Sequence, residues 1–139
     1  MGKLMILIWV LVAAVVVMLG YIRLAPSDPV VWNVMPQSVE ADKDFKNGVI
    51  RVVEIGSDGL TRFDEIAMKT ARTKRIPETG QGSMVTYVTR SAVLGFPDYT
   101  TVRQDGEKLT IYARARFGRS DFGVNRDRVQ TWIDALKSG

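Results

Sequence analysis

The longest apolar segment of the chain, Leu4–Ile22, contains no charged side chain. A helix of this length spans roughly 28 Å at about 1.5 Å per residue, which matches one hydrocarbon core. Tyr21 lies near its end, where aromatic rings favour the membrane interface, and Arg23 follows. A cleaved signal peptide is the alternative, but its apolar region is usually about 7–15 residues, and a cut after Ala25 would place Arg23 at an unfavourable −3 position. We therefore predict an uncleaved single-pass anchor at residues 1–23.

The charges that flank this segment are nearly balanced. Lys3 and the terminal amine precede it, and Arg23 follows it with Asp28 nearby, so the positive-inside rule gives almost a tie. Because a very short N-terminal tail before an uncleaved anchor usually stays in the cytoplasm, we expect residues 24–139 outside it. The predicted location is the inner (cell) membrane, with the C-terminal domain in the periplasm and the lipid bilayer as a partner through Leu4–Ile22.

Residues 24–48 are predicted to form a tether between the anchor and a domain. Three prolines between Pro26 and Pro36 oppose regular structure. Trp32 and Val34 are apolar, so we expect part of the tether to dock on the domain surface.

Residues 49–139 show the periodicities of one soluble α+β domain. β-Branched side chains predict a strand at Val49–Ile55. Apolar residues at spacings of three and four predict a helix from Leu60 to about residue 73, capped by Ser57 or Thr61. Three basic residues follow at its predicted end, where they suit the helix dipole as solvated side chains or contact a phosphate or lipid headgroup: Arg72, Lys74 and Arg75.

Alternation predicts the remaining strands. Ser83–Val93 and Tyr99–Arg103 are expected to be extended, with a break or bulge at Gly95–Asp98, and Asp105-Gly106 is a strong hairpin signal. In the next strand, one face carries Leu109, Ile111, Ala113, Ala115 and Phe117, and the other carries Thr110, Tyr112, Arg114 and Arg116.

The last element is predicted as a helix from about Arg126 to Leu136. Val129, Trp132, Ile133 and Leu136 form its apolar stripe. The predicted fold is therefore α+β, with one N-terminal transmembrane helix followed by an antiparallel sheet packed by two helices, the last one C-terminal. A curved sheet that grips a terminal helix can also enclose a ligand cavity, but this is an analogy of fold.

Composition narrows the chemistry. The chain has no cysteine and no histidine, so thiolate nucleophiles, disulfides, zinc–thiolate sites and Ser-His-Asp or Cys-His arrangements are excluded. The net charge of +4 does not suggest the dominant basic face that nucleic-acid binders usually show. We predict no catalytic residue, no metal site, no cofactor and no nucleic-acid partner. Whether the chain binds a small-molecule ligand stays an open question.

Two segments, 86-TYVTRSAVLGFPDY-99 and 111-IYARARFGRSDFGVNRDRVQTWIDAL-136, and more weakly 28-DPVVWNVMP-36, resemble the domain-of-unknown-function family 1499. Many members of that family are also membrane-anchored. Asn33 and Met35 stand where relatives often carry His and Asp, which disfavours a tether that supplies a metal ligand or an acid/base residue. The resemblance implies a domain and no activity.

The segment around residues 114–126 supports two alternatives. In the structural one, glycines turn the chain with positive φ, Asn125 caps the last helix, and Asp121 caps a turn or pairs with an arginine. Arg90 and Asp98 then belong to an Arg–carboxylate network that links the two family segments. The predicted structural corner is Gly118, Asp121, Gly123, Asn125, Arg90 and Asp98. In the functional alternative, four arginines contact an anion or a partner protein: Arg114, Arg116, Arg119 and Arg126.

The leading functional hypothesis is a non-catalytic, membrane-anchored protein that acts as an accessory, assembly or supernumerary subunit of an inner-membrane complex. The second is a lipid or hydrophobic-ligand binding domain at the membrane surface. The third is a hydrolase that uses carboxylates or a Ser-Lys pair.

Overall fold

A computed structural model describes residues 1–37, 39–77, 79 and 82–139. Among these residues the chain forms four helices and six strands. The helices are α1 (Gly2–Leu24), α2 (Pro29–Trp32), α3 (Gly59–Met68) and α4 (Val124–Ser138). The strands are β1 (Lys43–Phe45), β2 (Gly48–Glu54), β3 (Thr73–Arg75), β4 (Met84–Arg90), β5 (Pro97–Asp105) and β6 (Lys108–Ala115).

The strands form one antiparallel sheet in the order β1-β2-β6-β5-β4-β3. The hairpin between β5 and β6 turns through Gly106, whose φ of 60° is the left-handed conformation that this turn requires. With α3 and α4 on one side of the sheet, the α+β prediction is confirmed.

We call the side of the sheet that α3 and α4 cover the helix face. The alternation predicted for β6 places Leu109, Ile111 and Ala113 on this face, fully buried against α4. Trp132 of α4 packs edge-on against Phe63 of α3 at 5.3 Å between ring centroids. The predicted stripe of α4 is buried as expected: Val129, Trp132, Ile133 and Leu136.

α1 is an apolar helix of 23 residues. Its most apolar 18-residue segment has a mean hydropathy of 2.8, and only 6% of that segment is buried. It is long and apolar enough to cross a membrane, which is compatible with an anchor or a signal sequence.

Several predicted boundaries were wrong. α3 begins at Gly59, with Asp58 at the N-cap position instead of Ser57 or Thr61, and no side chain caps it. It ends at Met68, so the basic residues do not crowd its end. Instead Arg72 turns the chain with a φ of 56°, and the next residues form the edge strand β3, because pairing with β4 satisfies their backbone.

The tether contains more regular structure than its prolines indicate. Pro29 stands at the first position of α2, where its missing N–H is harmless, and Asp28 caps that turn by accepting from the Val30 N–H at 2.9 Å. The segment also contributes β1. The predicted break at Gly95–Asp98 ends earlier, since Pro97 and Asp98 already belong to β5.

Candidate functional site

The side of the sheet opposite α3 and α4 is covered by the tether, and we call it the tether face. The Trp32 ring stacks on Tyr99 of β5, with centroids 4.3 Å apart and planes at 13°. The Trp32 carbonyl accepts a hydrogen bond from the Thr101 hydroxyl at 3.1 Å and another from Arg114 Nη2 at 2.6 Å. Part of the tether therefore docks on the domain, as its apolar residues suggested.

Arg114 is the buried cation beneath this contact, with 5% of its surface exposed. Its Nη1 donates to the Thr101 hydroxyl at 2.8 Å and to the Tyr112 carbonyl at 3.2 Å, and its guanidinium lies 4.3 Å from the Tyr112 ring centroid. Within the described ranges it has no carboxylate partner. Burial lowers the pKa of Arg114 to about 10, which still leaves it charged at neutral pH. Neutral oxygens and aromatic faces hold this charge.

Arg116 makes a second contact to the tether on the same face. Its Nη1 donates to the Pro26 carbonyl and to the Tyr99 hydroxyl, both at 2.9 Å, and its guanidinium lies 5.2 Å from the Trp32 ring centroid. Two of the four arginines predicted to contact an anion or a partner are thus bonded to the chain's own tether.

The end of α1 is joined to the domain through residues 21–27, which we call the helix–domain junction. Ile22 and Ala25 are buried. Arg90 Nη1 donates to the Ile22 carbonyl at 3.2 Å and to the Gly95 carbonyl at 2.9 Å. Arg23 donates in the reverse direction, to carbonyls of the 91–96 loop. Because both arginines bond main-chain oxygens, they stabilise the junction without forming an ion pair.

The corner between β6 and α4 turns where the sequence predicted, at two glycines with positive φ: 92° at Gly118 and 79° at Gly123. The predicted capping residue was wrong. Gly123 occupies the N-cap position, and the Asp121 carboxylate accepts from the N–H of Gly123 at 2.9 Å and from that of Asn125 at 3.0 Å. Asn125 lies inside the first turn and is fully buried, and its side-chain amide also donates to Asp121.

An Arg–carboxylate pair does link the two family segments, but its arginine is Arg128 instead of Arg90. Arg128 Nη1 lies 3.2 Å from Asp98 Oδ2 and 2.9 Å from Asn125 Oδ1. Only 15% of the Asp98 side chain is exposed, and this burial raises the pKa of Asp98, an effect that the charge of Arg128 opposes and does not cancel. Arg90 bonds to carbonyls because β4 directs it toward the tether face.

Arg119 and Arg126 are exposed at this corner, and Arg126 Nε lies 3.5 Å from Asp127 Oδ1. Between them Phe122 is 92% exposed with a φ of 54°, and Val124 is 48% exposed. We call Arg119, Phe122, Val124 and Arg126 the exposed tip. The contact of the arginines with an anion or a partner stays a prediction. Of the four arginines, these two have exposed side chains that are accessible for such a contact.

Ionisable groups also converge in a cleft of about 310 Å³ between α3 and β3. The Tyr87 hydroxyl donates to Asp64 at 2.6 Å, and Arg75 binds the same carboxylate, with its Nε at 3.2 Å. Burial and the neighbouring carboxylate raise the pKa of Tyr87. Burial also acts to raise the pKa of Asp64, but the hydrogen bonds from Arg75 and Tyr87 outweigh it and lower that pKa. The carboxylate is therefore occupied by its neighbours and poorly suited to act as a general base.

Sequence periodicity missed the acceptors of these arginines, because carbonyls of Ile22, Pro26 and Trp32 carry no signal in the side-chain pattern. In the part of the chain that the structure describes, no three side chains of the metal-ligating types converge. A search of curated proteins gave no match. Residues 26–136, which include nearly all of the tether, the whole sheet and most of α4, match the model of the family described as Protein of unknown function (DUF1499), and the chain belongs to this family.

Proposed function

We propose that this chain is a single-pass, membrane-anchored, non-catalytic protein that serves as an accessory, assembly or supernumerary subunit of an inner-membrane complex. The helix–domain junction is the observation that carries the proposal. Ile22 and Ala25 are buried against the domain, and Arg90 bonds the Ile22 carbonyl. A signal-peptide cut near Ala25 would remove these contacts, so the junction favours retention of α1 as an anchor.

A junction of this kind would hold the domain at a fixed place on the bilayer instead of on a loose tether. Such placement suits a subunit that must meet a membrane partner at one position. A junction that is held by these contacts before assembly would also lower the conformational entropy lost on assembly.

The exposed tip supplies the surface for this role. Phe122 has almost its whole side chain in solvent, and Arg119 and Arg126 flank it. Aromatic residues and arginine are the types enriched at the energetic centres of protein interfaces. The partner surface that fits has an apolar pocket with acidic groups at its rim.

Purification of the full-length protein from membranes in mild detergent tests the proposal. The intact mass of the mature chain should include residues 1–25, and a membrane protein should co-elute in stoichiometric amount. The triple variant Arg119→Gln, Phe122→Ser, Arg126→Gln should lose it. The control variant Val30→Ser, which alters a valine of α2 that is 85% exposed, should keep it. A shortened chain, or a wild-type protein that runs reproducibly alone, contradicts the proposal.

The periplasmic orientation has a direct test because the chain contains no cysteine. A single Lys137→Cys substitution in α4 should react with a membrane-impermeant maleimide added to intact cells or spheroplasts. Labelling that occurs only after the membrane is broken would place the domain in the cytoplasm.

A lipid-binding role is the second candidate. The centre of the helix face is filled by closely packed side chains, from Val49 to Leu136, that are at most 4% exposed, which disfavours a ligand within this core. One observation on the tether face favours lipid binding instead: basic side chains line a cleft beside the end of α1.

A further inference from the structure

A cleft of about 490 Å³ lies between the end of α1 and the β3–β4 edge of the tether face. Four cationic side chains line it, and we call it the basic cleft: Arg23, Arg72, Lys74 and Arg90. Lys74 pairs in register with Val88, two residues before Arg90 on the same face of the sheet, so β3 and β4 direct both charges to this side.

No carboxylate lines the basic cleft among the residues that the structure describes. None of its four cations has a carboxylate within ion-pair distance in the same ranges, whereas six other arginines do: Arg51, Arg62, Arg75, Arg103, Arg126 and Arg128. The positive charge of the cleft is therefore locally uncompensated, although the whole chain has 19 basic and 15 acidic residues.

Main-chain carbonyls fix these arginines without neutralising them. Arg23 Nη2 donates to the Val93 carbonyl at 2.6 Å, and Arg72 Nε donates to the Arg90 carbonyl at 3.0 Å. Each guanidinium has five N–H donors, so further donors remain for an external acceptor. A charge-assisted hydrogen bond to phosphate is the interaction that such prepositioned guanidinium groups favour.

The carbonyls at the end of α1 explain only part of this cluster. Arg90 bonds the Ile22 carbonyl, as expected for a cation at a helix C-terminus. Arg72 and Lys74 are exposed and bond no atom of α1 in the described parts of the chain. Within the described residues neither charge has a carboxylate partner, and the bond from Arg72 to the Arg90 carbonyl leaves its charge uncompensated.

The mouth of the cleft is apolar and lies where the bilayer interface is expected. Leu24 is 84% exposed, and Val93 and Leu94 in the adjoining loop are 78% and 43% exposed. With α1 across the hydrocarbon core, the residues that directly follow it are level with the phosphates of the lipid headgroups. A free anion would gain nothing from these apolar side chains, whereas a lipid would contact them with its glycerol and upper acyl chain.

We infer that the basic cleft binds the phosphate of an anionic phospholipid headgroup from the bilayer that holds α1. This rests on the proposal that α1 is retained as an anchor. The site would add a specific lipid contact to the helix–domain junction, and it would make the position of the domain sensitive to the anionic lipid content of the membrane.

Native mass spectrometry of the full-length protein tests the inference. The protein, purified in detergent and freed of lipid, is mixed with equal amounts of phosphatidylglycerol and phosphatidylcholine. The wild type should retain one phosphatidylglycerol in clear preference to phosphatidylcholine. The double variant Arg72→Gln, Lys74→Gln should bind phosphatidylglycerol on the order of 25-fold more weakly, since each cation near a membrane surface changes binding roughly fivefold.

The matched control is the double variant Lys108→Gln, Lys137→Gln, which removes the same charge from the opposite end of the sheet and from the last turn of α4. It should keep the lipid preference within about twofold. The single variant Lys74→Gln alters an exposed side chain with no hydrogen bond in the described ranges, so it reports on the cleft without a risk to folding. Equal retention of the two lipids by the wild type, or equal losses in the two double variants, overturns the inference.

Inorganic phosphate in excess separates the two sources of the ligand. It should not displace the bound lipid; if it does, and binds wild type but not the Arg72/Lys74 variant, the site takes free phosphate and the lipid assignment is wrong. The intact mass of this preparation, and the resistance of the protein to carbonate extraction from the membranes before detergent is added, report on the anchor. An anchored protein without lipid preference contradicts only the cleft, whereas a cleaved or extracted chain contradicts the proposed function.

Discussion

The helix face and the tether face belong to one sheet, yet the elements that cover them differ in kind. On the helix face, α3 and α4 bury apolar side chains such as Leu109, Ile111 and Trp132. On the tether face, the segment that contains the short helix α2 lies over arginines that bond its carbonyls, as Arg114 does with Trp32. The first face is stabilised mainly by apolar area, which is non-directional, and the second by hydrogen bonds that need one geometry.

This difference has a consequence for function. Apolar packing tolerates many combinations of side chains, whereas a buried guanidinium fits few alternative acceptors. The tether face therefore fixes one path for the chain from α1 to the sheet, and this path sets where the sheet lies relative to α1.

The largest expected effect is on the helix face. Trp132→Ala should lower the free energy of unfolding by about 3–5 kcal/mol, because it removes a side chain that is 2% exposed and packs against Phe63. Urea titration of the full-length protein in detergent, followed by circular dichroism, measures this loss. Trp9→Ala, in the exposed apolar helix, should change the same quantity by less than about 0.5 kcal/mol. Similar losses in both variants would mean that α4 does not close the core.

The next effect compares two arginines of the tether face. Arg114→Met should cost about 1.5–3 kcal/mol, since it keeps the apolar stem but removes charged hydrogen bonds to the Trp32 carbonyl and the Thr101 hydroxyl. Arg103→Met removes an arginine whose side chain is 31% exposed and pairs with Asp105, so it should cost less than about 1 kcal/mol. If the two titrations give equal losses, the buried cation does not hold the tether.

The sequence predicted the helix face well and the tether face poorly, for a physical reason. Alternation in Leu109–Ala113 and the stripe of Val129 to Leu136 are local patterns that report burial directly. The bond from Arg114 to Trp32 joins residues 82 positions apart and ends on a carbonyl, which every residue has. The sequence therefore showed that Arg114 and Arg116 share a face, but not what lies over that face.

The predictions for the N-cap of α4 and for residues 72–75 were wrong for related reasons. Asn125 is a good N-cap by residue type, but Asp121 lies four residues earlier in a glycine-flanked turn and accepts from the N–H groups of Gly123 and of Asn125 itself, so the helix begins before Asn125. The cluster at residues 72–75 looked like a helix end because its charges fit a helix dipole. Pairing with β4 decided otherwise, and periodicity over so short a segment does not report such pairing.

A smaller and more local effect is expected from Trp32→Ala. Loss of the stack on Tyr99 and of the nearby cation–π contacts should cost roughly 1–2 kcal/mol. Hydrogen exchange of the amides in residues 26–37 should speed up strongly, while exchange in β5 and β6 changes little. Val30→Ala, at an exposed position of α2, should leave both unchanged. Uniform acceleration over the whole domain would show that the two faces unfold together.

The smallest effect concerns pH. It compares two carboxylates on the side of α3 and α4 with the contacts of the tether face. The pKa of Asp64 is lowered from 3.8, so Asp64 contributes stability that is present above pH 3.8 and lost as the pH falls through its folded-state pKa. The pKa of Asp98 is raised from 3.8, so its contribution is fully present below pH 3.8 and lost as the pH rises through its folded-state pKa. Between pH 6 and pH 3, Asp64→Asn should therefore lose melting temperature less steeply than wild type, and Asp98→Asn more steeply.

Protection from hydrogen exchange at residues 26–37, corrected for the pH dependence of intrinsic exchange, should stay constant over the part of this range in which the domain remains folded. The described contacts of Arg114 and Arg116 end on carbonyls, hydroxyls and rings that do not titrate there. Val30 is the exception, because its N–H donates to the Asp28 carboxylate. Loss of protection in acid at tether amides other than Val30, before the domain melts, would reveal a further carboxylate that supports the tether and would remove the distinction between the two faces.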